Sequence, residues 1–133
     1  MFELLILTKK QIFNIFVSSI VFIVIDSVYL YLIKDYFNNQ VKLIQGSPIK
    51  INSYAIIICY IILIFGINYF IIIPNRSILD AFLLGLIIYG VYETTNMALF
   101  SKWSWLTVVI DTLWGGILFA LTTYIVHKFT KHD

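Results

Sequence analysis

Long apolar runs broken by short polar segments set the pattern of this chain, and there are four of them. The first goes from Ile12 to Ile33, opened by Lys9 and Lys10 and closed by Lys34 and Asp35. The second, Tyr54 to Ile73, stops at Pro74-Asn75-Arg76, because proline disfavours the helical conformation of the residue before it. The third, Ile78 to Phe100, and the fourth, Trp103 to His127, are parted only by Ser101 and Lys102, which predicts a tight hairpin. Between the first and second runs lies Asp35 to Ser53, a polar stretch with turn chemistry at Gly46-Ser47-Pro48 that reads as the longest loop.

Each run is about 20 residues, the length a helix needs to cross a bilayer. Backbone in hydrocarbon satisfies its hydrogen bonds as helices or closed barrels, and barrel strands are roughly ten alternating residues, unlike these runs. The pattern predicts an all-α membrane protein with four transmembrane helices in an up-down-up-down bundle. A single integral membrane domain over 1-133 is expected, with spans at 12-33, 54-73, 78-100 and 103-127. The first run is longer than a signal-peptide core, holds Asp26 and lacks an evident cleavage site, so it reads as a retained span.

Composition agrees with that class. The 133 residues are 61% hydrophobic and only 12% charged, against about a quarter charged in a soluble domain. A net charge of +2, spread singly or in pairs, gives no basic patch for nucleic acid. The bilayer is the expected partner. Lys9, Lys10, Arg76, Lys128 and Lys131 fall on the side of the termini and Lys34, Lys42, Lys50 and Lys102 on the other, a small excess that puts both termini in the cytoplasm. The sequence does not say which membrane. Cys59 stands alone in an apolar run and reads as a small core or lipid-facing residue. His127 and His132 lie at the boundary, no Cys/His cluster occurs, and neither a metal site nor a cofactor is expected. Walker, nucleophile-elbow and dinucleotide motifs are absent from the sequence.

Three carboxylates stand out, Asp26, Glu93 and Asp111, one in each of three spans. An ionisable group at the bilayer centre costs about 2.5–3.5 kcal/mol on insertion scales, so it ordinarily has a partner and a purpose. Counted from the terminal side at 1.5 Å per residue, Asp26 comes to about 21 Å, Glu93 to about 22 Å, Asp111 to about 24 Å and Tyr60 to about 20 Å. All four helices thus offer a polar group to one layer, displaced toward the long loop. Tyr89, Glu93 and Asn96 share a helical face, with Tyr92 beside Asn96, and Thr107, Asp111, Trp114 and Gly115 do the same in the fourth span. The expected polar pocket comprises Asp26, Tyr60, Tyr89, Tyr92, Glu93, Asn96, Asp111 and Trp114. Three acids at one level with no lysine or arginine nearby do not all ionise comfortably, which leaves at least one shared proton. Ala81, Gly85, Gly115, Gly116 and Ala120 are read as helix-packing positions. Asn68 reads as a capping or interhelical hydrogen bond, and Trp103, Trp105, Tyr54 and Tyr124 as an aromatic belt.

The run Tyr92-Glu93-Thr94-Thr95-Asn96-Met97-Ala98, then Trp103-Ser104-Trp105, then Asp111-Thr112-Leu113-Trp114-Gly115 resembles the predicted membrane proteins grouped as domain of unknown function 2177. Asp26 with Tyr29-Leu30 is similar to that family's first-span aspartate motif, and Tyr60, Gly66, Pro74, Gly85 and Gly90 fall where similar residues are expected. Glu93 and Thr94 stand where the resemblance leads one to expect aspartate and leucine, and Tyr29 where tryptophan is common. The resemblance implies a four-helix integral membrane protein and names no substrate.

Three functions compete on this reading. The polar layer is a pocket that binds or modifies a membrane lipid or small ligand, with Glu93 or Asp111 as acid or base, Asp26 as charge partner, and Asn96 and Tyr92 orienting the polar end. Alternatively it serves proton-coupled or small-solute transport in a homo-oligomer. In the third reading the acids are interhelical glue in a structural or partner-binding subunit.

Overall fold

In a computed structural model, which describes residues 7–130, the chain is four helices. They are α1 (Lys9–Gln45), α2 (Ser53–Ile67, continued by a π-helical turn over Asn68–Ile72), α3 (Ile78–Leu99) and α4 (Trp105–Thr130). All four are long and apolar enough to cross a membrane, and the outward faces carry exposed isoleucine, leucine and phenylalanine. Lys131 and His132, read above as boundary residues, lie outside the described residues.

Helix α1 differs from the span expected for it. A capping box between Thr8 and Gln11 starts it, and it runs 37 residues, about 55 Å, through the stretch read as loop as far as Gln45. Polarity ends a membrane span but does not by itself end a helix. Asp35 to Gln45 contains neither glycine nor proline, and termination waits for Gly46, whose left-handed φ of 75° makes the C-cap.

The π-helical turn falls at Asn68, whose side chain donates to Ile64 O at 2.9 Å and to Ser18 Oγ at 2.9 Å. Asn75, at φ 58°, then turns the chain so that Arg76 N reaches Ile71 O. Ser77 caps α3 by accepting from Asp80 N, and Arg76 pairs with Asp80 at 2.9 Å.

Helix α4 is the most buried of the four. Gly85 of α3 meets the Gly115 backbone so closely that a methyl there would fall on the Gly115 carbonyl. A methyl on Gly116 would meet the Phe82 ring at 2.7 Å. These small residues let α3 and α4 approach closely. Ala81 is fully buried, while Ala120 is half-buried. Contacts from α1 to α4 pair Phe22 with Phe119, Asp26 with Trp114, Tyr29 with Asp111 and Tyr36 with Thr107. Partners descend along α4 as they ascend along α1, so the two helices run in opposite directions.

Candidate functional site

The inward face of α1 is a polar stripe. Ser18, Phe22, Asp26, Tyr29, Tyr36 and Gln40 recur at spacings of three, four and seven, which keeps them on one side of a helix. Every polar member of the stripe has a partner on another helix or turn.

Asp26 is buried and accepts two hydrogen bonds, from Tyr60 Oη to Oδ2 at 2.5 Å and from Trp114 Nε1 to Oδ1 at 2.9 Å. The Trp114 indole stacks on Tyr29, centroids 4.3 Å apart and planes 4° apart. Tyr29 in turn donates to Asp111 Oδ1 at 3.2 Å. Two carboxylates on adjacent helices are therefore joined through one aromatic pair.

Glu93 is fully buried. Its Oε1 accepts from Trp103 Nε1 at 2.8 Å, whereas its Oε2 is buried with no hydrogen-bond partner. Its carboxyl and that of Asp111 are neighbours that interact electrostatically. Among the described residues no lysine or arginine forms an ion pair with Asp26, Glu93 or Asp111; Arg76 is occupied by Asp80 near the other end of α3. An unpaired, buried carboxylate is costly.

Toward the long loop, Tyr36 bonds Thr107 at 2.8 Å and Thr107 donates to Gln40 Oε1 at 2.8 Å. Gln40 also holds the turn after α3 at two points, donating to Lys102 O at 2.9 Å and accepting from Ser104 N at 3.1 Å. That clamp fixes the turn whose Trp103 folds back onto Glu93.

Of the residues singled out by sequence, Asp26, Tyr60, Glu93, Asp111 and Trp114 take part in this hydrogen-bonded layer. Tyr89 is half-buried and lies where a methyl on Gly115 would strike its ring. The Asn96 side chain is half-buried without a hydrogen bond among the described residues. Tyr92 stands apart, 58% exposed on the outer face of α3. Sequence reasoning missed Tyr29, Tyr36, Gln40 and Trp103 as members. The placement of Asp26, Tyr29, Tyr36 and Gln40 at i, i+3, i+10 and i+14, on one helical face, was the available signal for the first three, and nothing local marked Trp103.

Two cavities lie away from the acids. One of about 400 Å³ is lined by Ile15, Ser19, Ile64, Asn68 and neighbours between α1 and α2. The other, about 510 Å³, is an apolar groove between α3 and α4 beside Gly90 and Thr112. Asp26, Glu93 and Asp111 line neither.

The family described as Predicted membrane protein (DUF2177) matches residues 11–127. No curated protein and no solved structure matches the chain.

Proposed function

The chain belongs to that family of predicted membrane proteins, and from this premise we propose that it handles protons in the bilayer, with Asp26, Glu93 and Asp111 as the carriers. One observation carries the reading. Glu93 is fully buried beside Asp111, its Oε2 meets no donor among the described residues, and none of those residues supplies a lysine or arginine to pair with either acid. A proton held between the two removes the like-charge repulsion and can pass to Tyr29, which donates to Asp111. Trp103 and Trp114 are donor-only groups, so they orient the carboxyls without carrying protons onward. Reconstituted vesicles with a trapped pH dye and a potassium counter-flux test this. Wild type acidifies faster than empty vesicles and Glu93→Gln or Asp111→Asn does not; wild type no faster than empty vesicles contradicts the reading.

A second reading takes Glu93 Oε2 as the contact for the polar end of a membrane lipid or small ligand. The same unpartnered oxygen supports it, because an acceptor at that depth is satisfied by a hydroxyl or amine donor. It requires the Trp103 indole or the α3–α4 turn to move aside, since that indole covers the neighbouring oxygen. A molecule that co-purifies with wild type and is lost from Glu93→Gln, measured by native mass spectrometry, is its test.

A further inference from the structure

The bundle seam beside α4 is polar at two depths and apolar between them. On the long-loop side stands the layer of Asp26, Tyr29 and Asp111. One helical turn before Phe22 along α1 comes Ser18, which exchanges hydrogen bonds with Asn68 of α2. One turn beyond Phe119 along α4 come Thr122 and Thr123. Because α1 and α4 run in opposite directions, Ser18 and the two threonines lie on the same side of the phenylalanines, toward the termini.

The threonines are what a packing account leaves unexplained. Both are fully buried, and the hydroxyl of each has no hydrogen-bond partner among the described residues. A buried unsatisfied polar group costs about 1–3 kcal/mol, and valine fills the same volume without that cost. A threonine hydroxyl in a helix commonly bonds back to the carbonyl one turn earlier, as Thr130 does to Val126 O, but these two do not. Asn14 Oδ1, one turn before Ser18 on α1, is likewise buried and unpartnered. The 400 Å³ cavity lined by Ser19 and Asn68 adjoins this end of the seam.

Between the two polar layers sit Phe22 and Phe119, both fully buried, edge to face with centroids 5.5 Å apart. Phe22 also meets the Tyr60 ring at 6.2 Å, the same tyrosine that donates to Asp26. Hydroxyls, carboxyls and water pass protons along hydrogen bonds; a phenylalanine pair does not, and apolar constrictions of this kind gate by excluding water.

We infer that this seam in the bundle interior is a proton path across the bilayer, closed by the Phe22–Phe119 pair and continued on the terminal side by the buried hydroxyls of Thr122, Thr123 and Ser18. The inference rests on the proton-handling reading and adds its route and its gate. Hydroxyl groups accept and release one proton in each transfer, so nothing is consumed.

The vesicle assay tests it with the full chain. Phe22→Ala and Phe119→Ala, and the milder Phe22→Leu and Phe119→Leu where the alanine forms do not fold, are expected to raise proton flux several-fold over wild type. Adding Thr122→Val and Thr123→Val to an opened variant is expected to return flux toward the wild-type rate, although these changes lie far from the carboxyls. Folded gate variants that conduct no faster than wild type overturn the gate. If wild-type flux nonetheless depends on Asp111, the proton reading survives that failure. Enhanced flux indifferent to the valine substitutions marks a leak through a loosened bundle and overturns the route. Wild type no faster than empty vesicles overturns both.

Discussion

Tyr29 and Trp114 stack across the α1–α4 interface, and each donates to a carboxyl on the other's helix. Tyr29 of α1 serves Asp111 of α4, while Trp114 of α4 serves Asp26 of α1. The exchange ties the register of the two helices to the positions of two acids, so a slip of either helix breaks both bonds at once. Trp114→Phe keeps the stacked face and deletes one donor. Interhelical hydrogen bonds in membranes average about 0.6 kcal/mol, which sets the expected loss for this substitution and for Tyr60→Phe taken singly. The two donors serve one carboxyl, so the double variant is expected to lose more than the sum, because Asp26 is then bare. Unfolding of the four proteins in mild detergent measures the coupling.

Trp103 closes over Glu93 from the turn after α3. Trp103→Phe removes the indole donor to Glu93 Oε1, and a loss of about 1–3 kcal/mol is expected. Glu93→Gln in that background is expected to recover part of the loss, since a neutral amide is less costly to bury than a carboxylate. Thermal unfolding of wild type, the two single variants and the double variant gives the coupling term.

Gly85 and Gly66 make opposite predictions from the same substitution. A methyl at Gly85 falls on the Gly115 backbone, which cannot rotate away, so Gly85→Ala is expected to separate α3 from α4 and cost about 1–3 kcal/mol. At Gly66 nothing lies within 4 Å, and alanine is expected to be neutral or stabilising. Melting temperatures of the two variants under one detergent condition decide it.

Gln40 supports the site through the turn rather than by touching an acid. Gln40→Leu frees Lys102 O and Ser104 N and is expected to loosen the turn that carries Trp103. Proton flux and indole fluorescence are expected to change together, with fluorescence compared against a Trp103→Phe background to isolate that ring. Lower stability with unchanged flux and unchanged Trp103 emission contradicts the positioning role.

What could be read from the chain depended on the range of the interaction. Four apolar helices followed from local composition. Counting depth at 1.5 Å per residue brought Asp26 and Tyr60 to one level, and they are hydrogen-bonded. Rotation about a helix was harder. Tyr92 adjoins Glu93 in sequence, yet one residue is a turn of 100°, and it faces outward. Trp103 looked like an interfacial anchor because its place was judged by distance from a span end. A turn held by Gln40 carries it inward instead, and that contact joins residues far apart in the sequence. The length of α1 was missed for a simpler reason, since polarity was taken to end a helix where only Gly46 does.

The most direct test of a shared proton at Glu93 and Asp111 is the infrared spectrum of the purified protein in lipid nanodiscs at neutral pH. A carbonyl band from a protonated carboxyl is expected in wild type and is expected to shift or vanish in Glu93→Gln and in Asp111→Asn. A wild-type spectrum in which every carboxyl is ionised, or a protonated band unmoved by either substitution, contradicts the account.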